Sequence, residues 1–219
     1  TGVQNVAVGN YALDAGTNSS ENTAIGYDSL TANVSAAGNT GVGHGTLKLC
    51  TAAANVAIGS RALDALVSGT NNVAVGYESL STQSGSYNYN TAVGAYACQM
   101  NTTGISLVAI GAQALAQNTT GNQNTAVGHE ALDANTTGTR NNAMGYSALG
   151  ACTTGADNVA VGRNALQVNT TGADNTAIGN NTLDENTTGA SNTAVGRNAL
   201  QANTTAAGST AIGRRALYK

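Results

Sequence analysis

A short run of small and β-branched residues recurs along the whole chain, and each time it ends at a glycine. The best-kept unit reads Asn-Thr-Ala-Val-Gly-x-x-Ala-Leu-x-x-Asn-Thr-Thr-Gly-x-x. Successive motif glycines are 17, 17, 16, 17 and 18 residues apart, and seven further intervals of 17 follow. A fixed period of this kind predicts a repeat architecture, here one continuous repeat domain over residues 1–219. The thirteen motif glycines are Gly9, Gly26, Gly43, Gly59, Gly76, Gly94, Gly111, Gly128, Gly145, Gly162, Gly179, Gly196 and Gly213.

The three residues before each motif glycine have the pattern of a strand. Val or Thr, then Ala, then Val or Ile places the first and third side chains on one face. The segment is β-branched and is bounded by Asn and Gly, which favours a strand that the glycine ends by turning at positive φ. The following Ala-Leu pair fits either a second short strand or a single helical turn. Asn-Thr-Thr-Gly has the composition of a turn.

Seventeen residues are too few for a strand, a full helix and two connections, which disfavours leucine-rich-repeat geometry. The sequence therefore predicts an all-β fold, a parallel β-solenoid in which each repeat makes one coil. Coils that rise about 4.8 Å each would give a rod about 58 Å long. Equivalent residues then form ladders along the rod. We expect an amide ladder from the Asn four residues before the glycine, and apolar spines from the Val/Ile and Leu columns.

The core of a single chain is expected to be thin. Each repeat offers only about two large apolar side chains to offset the conformational entropy lost in ordering the coil. We therefore expect a second surface to be buried against other chains. The nearly invariant Ala of the strand, on the side opposite Val/Ile, is our candidate for that surface, because a small residue allows another backbone to approach. The alternative is that this Ala lines a narrow coil interior.

These motifs resemble repeats of known fibrous proteins. Asn-Thr-Ala-Val-Gly is similar to the Ser/Thr/Val-Ala-Ile/Val-Gly core of the head repeat in trimeric autotransporter adhesins. The longer unit with Ala-Leu and Asn-Thr-Thr-Gly looks like repeat arrays of phage and phage-like tail fibres. The resemblance covers the whole chain and implies a left-handed β-roll, a homotrimer, and an extracellular fibre on a virion or a bacterial surface. The period of 17 is longer than is usual in the adhesin heads, which favours a tail fibre.

Composition narrows the function further. The chain carries a net charge of −3, 9% charged residues and no run of Lys or Arg, so it lacks the electrostatic footprint of a nucleic-acid or anionic-membrane binder. No apolar run approaches the roughly 20 residues that span a bilayer. No leader is recognisable at Thr1, and the repeat runs to both ends without a distinct capping unit. We therefore expect a piece of a longer fibre protein.

Candidate chemistry is sparse, and we predict no enzymatic activity, no cofactor and no metal site. The two histidines, His44 and His129, are five repeats apart, about 24 Å, too far to share a site within one chain. Gly41-Val42-Gly43-His44-Gly45 imitates a phosphate-binding loop, but Gly41 only replaces the Ala of the repeat, and no Gly-Lys-Ser/Thr follows. Carboxylates occur singly except for Asp184-Glu185, whose side chains would face opposite ways on a strand.

The three cysteines do not form a disulfide pattern. Cys98 replaces the Leu of its repeat and is expected to act as a small buried hydrophobe. Cys50 and Cys152 share a turn position but stand six repeats apart, about 29 Å, which excludes a bridge within the chain. An odd, unpaired set is consistent with folding in a reducing compartment.

Specificity, where it exists, is expected at the variable positions one and two residues after the glycine. Tyrosines and arginines recur there, and a tyrosine beside polar residues can stack on the sugar rings of a surface glycan. The segment Ser84–Tyr89 marks the 18-residue interval and is the best single candidate for a local binding feature. The candidate surface-binding residues are Tyr27, Tyr77, Tyr87, Tyr89 and Tyr146.

The sequence thus predicts a structural fibre segment that acts as a rigid shaft and offers a host-surface binding face to a glycan or receptor. Ice binding is the alternative function, because regular solenoids can present flat arrays of threonine. Adjacent threonines of an extended segment face opposite sides, so only one Thr per turn can join such an array. Asn-Thr-Thr recurs at Asn101, Asn118, Asn135, Asn169, Asn186 and Asn203.

Overall fold

The computed structural model describes residues 2–81 and 87–218. Within these residues the chain forms thirteen three-residue strands and no helix. All of them belong to one parallel sheet, in sequence order. The predicted all-β parallel solenoid with one coil per repeat is therefore confirmed. The strands β1–β13 are Val6–Val8, Thr23–Ile25, Thr40–Val42, Val56–Ile58, Val73–Val75, Thr91–Val93, Val108–Ile110, Thr125–Val127, Asn142–Met144, Val159–Val161, Thr176–Ile178, Thr193–Val195 and Thr210–Ile212.

Strand pairing follows the repeat residue by residue. Ala160 of β10 pairs with Ala177 of β11, and the flanking residues pair in the same register. The 16-residue and 18-residue intervals leave this register intact, since Thr40 pairs with Val56 and Val73 pairs with Thr91. The length changes are therefore accommodated in the turns and not in the sheet.

The two faces of each strand are oriented opposite to our interface hypothesis. The central Ala points into the coil and is fully buried, as at Ala109 and Ala177, while Ile110 and Ile178 of the same strands are 41% and 40% exposed. The proposal that Ala faces another chain was wrong, and its alternative, an Ala lining a narrow interior, is correct. The Val/Ile spine lies outside the coil, whereas the Leu spine lies inside, with Leu115 and Leu166 fully buried.

The Ala-Leu segment is neither a strand nor a helical turn. Its Leu, or Cys98 in one repeat, adopts a left-handed φ between 47° and 54° in every described turn. The backbone N–H of this residue still donates to a carbonyl of the next turn, as Leu149 does to Ala165 at 3.0 Å and Leu166 does to Thr182 at 3.0 Å. The segment is therefore an irregular corner that aims Leu inward and continues the hydrogen bonding between coils.

The predicted asparagine ladder is present, and it bonds the backbone as well as itself. The side-chain oxygen of Asn175 accepts the backbone N–H of Asn192 at 3.0 Å and also its side-chain amide at 3.1 Å. The amide nitrogen of Asn175 donates to the carbonyl of Gly189 at 2.8 Å. Each of these buried asparagines thus satisfies backbone groups of the thin interior that no strand partner reaches.

A second buried asparagine ladder was not anticipated from the sequence. It is formed by the Asn of Asn-Thr-Thr-Gly, a segment whose composition predicts only a turn. Asn186 donates to the side-chain oxygen of Asn169 at 3.0 Å and to the carbonyl of Gly189 at 3.0 Å. Cys50, Leu66 and Cys152 occupy the equivalent position in other turns and are fully buried. Substitution by Cys and Leu was the signal in the sequence that this column faces inward.

Glycine is required at the motif positions both by the backbone conformation and by the lack of room for a side chain. Their φ lies between 121° and 142°, a region that side-chain-bearing residues rarely adopt. A Cβ added at Gly162 would lie 2.6 Å from the carbonyl carbon and oxygen of Gly179 in the next turn. The close stacking of the coils at this corner therefore excludes any larger residue.

Gly41 has a local packing explanation that replaces the phosphate-loop interpretation. Ser29 and Thr46 stand where other repeats carry Ala, and their hydroxyl oxygens lie 2.9 Å apart in the interior. A Cβ at Gly41 would lie 2.6 Å from the Ser29 hydroxyl and 2.9 Å from that of Thr46. The missing methyl group of Gly41 accommodates these two larger neighbours.

Candidate functional site

One long face of the solenoid is uncharged and carries a continuous column of apolar side chains. We call it the outer strand face: the first and third residues of each strand β1–β13, which point away from the coil. Its third-position residues are half-exposed, with Ile58 41%, Ile110 41% and Met144 48% accessible. Val or Thr fills the first position in every strand except β9, where Asn142 stands. Thirteen turns make this stripe about 58 Å long, far more apolar length than isolated surface residues would give.

A second surface runs beside it along the turns. We call it the ridge: the two residues that follow each motif glycine. Rings on neighbouring turns of the ridge contact one another, so that Tyr27 stacks on His44 at a centroid distance of 5.4 Å and His129 stacks on Tyr146 at 5.7 Å. Tyr77 meets Tyr96 edge-on at 5.4 Å. His44 and His129 are both exposed on the ridge, each against a tyrosine.

Four of the five candidate surface-binding tyrosines are accessible. Tyr27 and Tyr77 are each 45% exposed on the ridge, Tyr146 is 51% exposed there, and Tyr89 is 64% exposed. These residues do not form one site, because Tyr27, Tyr77 and Tyr146 lie several turns apart along the rod. They are separate aromatic contacts on a shared surface.

The prediction that Tyr87 is a surface-binding residue was wrong. It is fully buried, and its hydroxyl donates to the carbonyl of Leu80 at 3.2 Å. Burial raises the pKa of this phenol. Tyr87 takes the backbone role of the Gly in Asn-Thr-Thr-Gly, since its carbonyl accepts the amide of Asn72 at 2.9 Å. Residues 84–86 of the proposed binding feature lie outside the described part of the chain.

All three cysteines are buried and free, and for Cys98 this confirms the prediction of a small buried hydrophobe. Cys98 lies in the Leu column and has no exposed surface. Burial raises the pKa of the Cys98 thiol to about 12 and that of Cys152 to about 11. Desolvation also raises the pKa of Cys50, against weaker hydrogen bonds from Ala52 and Asn55. None of these thiols has the environment of a reactive nucleophile.

The Thr-Thr pairs divide their roles as the alternation predicts. The first hydroxyl bonds the next turn, as Thr119 does to the carbonyl of Thr136 at 2.9 Å and Thr136 does to that of Thr153 at 3.1 Å. The second threonine is exposed and forms a column one residue wide. Its exposed members in successive turns are Thr103, Thr120, Thr137, Thr154, Thr171, Thr188 and Thr205.

Among the described residues, no three His, Cys, Asp or Glu side chains are grouped so that they could hold a metal ion. Residues 2–81 and 87–218 contain no helix long and apolar enough to cross a membrane. No protein-family model matches the sequence, and neither a curated protein nor a solved structure matches it.

Proposed function

We propose that this chain is a segment of an extracellular fibre in which three copies pack together through their outer strand faces. The observation that carries the proposal is the outer strand face itself, which has Val, Ile or Met at the third position of all thirteen strands and no charged residue. Burying its half-exposed Val and Ile side chains against further copies would supply the apolar core that one thin coil lacks. The resemblance to adhesin heads and tail-fibre repeats supports a homotrimer and an extracellular location.

In such a fibre the solenoid serves as a rigid shaft. Every turn is hydrogen-bonded to the next through the sheet and the Leu corner, and most turns are also bonded through the asparagine ladders, so bending would break several bonds at once. The ridge then presents its aromatic residues to a host surface. Tyr27, Tyr77 and Tyr146 are the contacts that we propose for a glycan, since sugar rings stack on exposed aromatic faces.

The mass of the chain in solution tests the trimer. Light scattering or native mass spectrometry should give about 65 kDa, three times the 21.6 kDa of one chain. The double variant Ile110→Lys with Ile178→Lys places a charge twice on each outer strand face, and should give folded monomers because like charges would meet at the interface. Circular dichroism checks that the β-signal is retained.

The matched control puts the same two charges on another side of the coil. Thr120→Lys with Thr171→Lys changes exposed residues of the second threonine column and should leave the mass at that of the trimer. A well-folded monomer of the unaltered chain would overturn the trimer. Dissociation by the control variant, equal to that of the isoleucine variant, would place the interface elsewhere.

Ice binding remains a second candidate because the second threonine column is exposed and regular, with one hydroxyl about every 4.8 Å along the rod. Its width of a single residue favours the fibre, since the neighbouring hydroxyls are used in bonding the coils. A thermal-hysteresis assay separates the two functions. Activity that the Thr120→Lys with Thr171→Lys variant abolishes would favour ice binding.

A further inference from the structure

The basic residues of the chain fall into two groups. Lys48, Arg61 and Arg140 each pair with a carboxylate, the last with Asp157 through two bonds of 2.6 and 2.7 Å. The other described cations form no ion pair within 4 Å and lie together on the ridge beyond strands β10, β12 and β13. This second group consists of Arg163, Arg197, Arg214 and Arg215.

The coil produces this cluster from residues that are far apart in the sequence. Arg163, Arg197 and Arg214 each directly follow a motif glycine, so they occupy the same ridge position on turns 10, 12 and 13. They extend over about 14 Å along the rod. The sequence shows no Lys/Arg run, and we therefore expected no basic footprint. The 17-residue period nevertheless gathers four guanidinium groups on a chain whose net charge is −3.

Three of these arginines line a shallow cavity of about 280 Å³. The remaining lining residues are Asn180, Asn181 and Asn198, so the wall contains guanidinium and amide groups but no carboxylate. The backbone N–H of Arg163 donates to the side chain of Asn180 at 3.2 Å, and Arg197 donates to that of Asn198 at 3.2 Å. These bonds hold the amides beside the charges.

Two further features bear on what this cavity would bind. Asn181 lines the cavity, while its side-chain oxygen is itself buried and has no hydrogen-bond partner. Asp184 and Glu185 are acidic groups nearby: burial and then the charge of Glu185 raise the pKa of the Asp184 carboxyl, and Arg163 acts more weakly in the opposite direction. No ion pair links them, so the guanidinium of Arg163 stays available to a ligand.

We propose that this arginine–asparagine cavity is a binding site for a linear acidic polysaccharide. Arginine forks match carboxylate and sulfate groups with two parallel hydrogen bonds. A single small anion would engage one or two of the arginines, whereas the row on turns 10, 12 and 13 fits acid groups that repeat along a chain. The asparagine amides that line the cavity match the neutral hydroxyls between those groups.

A single-stranded nucleic acid fits the same surface less well. Such strands are held by aromatic platforms on which successive bases stack. Here the cavity is lined by arginine and asparagine, and the ring of Tyr218 already has the guanidinium of Arg215 over one face, 5.3 Å from its centroid. The site is contained in one chain, so the inference does not rest on the proposed trimer.

The test measures binding of the full chain to defined polymers by isothermal titration calorimetry. Dextran sulfate and polygalacturonate should bind, unmodified dextran should not, and added salt should weaken binding. The double variant Arg163→Gln with Arg197→Gln should lose about tenfold or more in affinity, given the strength of hydrogen bonds between charged groups. Arg163→Lys with Arg197→Lys keeps the positive charges but removes the paired guanidinium donors, and should show a smaller loss of affinity than the glutamine variant.

The matched control is Arg61→Gln with Arg140→Gln, which changes the net charge equally but alters arginines already paired elsewhere. Its affinity should stay within about threefold of the unaltered chain, because distant exposed charges are screened. Solution mass and circular dichroism, measured on every variant, separate loss of binding from loss of assembly. Equal losses in both glutamine variants would overturn the site. Binding of oligo(dT) as tight as that of the polysaccharides would overturn the assignment to a carbohydrate.

Discussion

The side-chain oxygen of Asn141 accepts two hydrogen bonds from Asn158 one turn away, one from the backbone N–H and one from the side-chain amide, both at 3.1 Å. Asn141 in turn donates its amide to the carbonyl of Gly155 at 2.8 Å. One side chain therefore satisfies polar groups of two other segments in an interior that is closed to water. The asparagine column stabilises the stack because the backbone there has no strand partner.

Asn141→Ala is expected to destabilise the fold strongly. The change leaves the N–H of Asn158 and the carbonyl of Gly155 buried without this partner, and each such group costs about 1–3 kcal/mol. Urea unfolding at fixed protein concentration measures the loss as a lower midpoint. Thr137→Ala is the control on an exposed neighbour and should stay within about 0.5 kcal/mol. Equal midpoints for the two variants would contradict a role for the ladder in stability.

Gly162→Ala tests why the motif residue is glycine. The variant combines a φ of 131° with a Cβ placed 2.6 Å from Gly179, so we expect a loss of at least about 3 kcal/mol or failure to fold. Gly213→Ala separates the two causes. Gly213 has a similar φ of 122°, but nothing lies within 4 Å of an added Cβ. It should cost only the conformational strain, about 1–3 kcal/mol. A greater loss at Gly213 than at Gly162 would refute the stacking argument.

The period and the strand pattern were enough to predict the fold of the chain. A motif repeated thirteen times leaves one simple arrangement, in which equal residues stack, and the pairing of Ala160 with Ala177 follows directly. The interior position of Cys98 could be predicted for the same reason, because it replaces a Leu in a column of buried leucines.

The orientation of the strand could not be predicted from hydrophobicity. In Val-Ala-Ile both faces are apolar, and the larger side chains suggest themselves for the core. The interior is already filled by Leu and by two asparagine columns, so only Ala fits, and Ile110 points outward. The arginine cavity could not be predicted for a different reason. Arg163 and Arg197 are 34 positions apart in the sequence, and they line one cavity only because the chain winds into stacked coils.

Tyr87→Ala should destabilise the chain by about 3–5 kcal/mol, since it removes a buried aromatic side chain. Tyr87→Phe keeps the ring and loses only the bond to the Leu80 carbonyl, which should cost about 1 kcal/mol. Tyr89→Ala, two residues further on and 64% exposed, is the control and should be nearly neutral. If Tyr89→Ala were as costly as Tyr87→Ala in urea unfolding, the assignment of Tyr87 to the core would fail.

Cys98→Leu is expected to change how stability depends on alkaline pH. The folded chain raises the pKa of Cys98 from 9.0 to about 12 because the thiol is desolvated. Between these values the unfolded chain loses a proton that the folded chain keeps, so the free energy of unfolding falls as pH rises. The slope for this one group is at most about 1.4 kcal/mol per pH unit. Leucine occupies this column elsewhere and does not titrate.

The added volume of leucine at this packed site should lower the stability at pH 7 by about 1–3 kcal/mol, but the variant should lose less further stability between pH 9 and 11. Urea midpoints taken across this range measure the difference. Part of the alkaline loss should persist, because burial also raises the pKa of Cys152 and of Tyr87. Parallel curves for the two proteins over the whole range would show that Cys98 ionises as easily in the folded coil as in the unfolded chain. The buried, inward position of this residue would then be wrong.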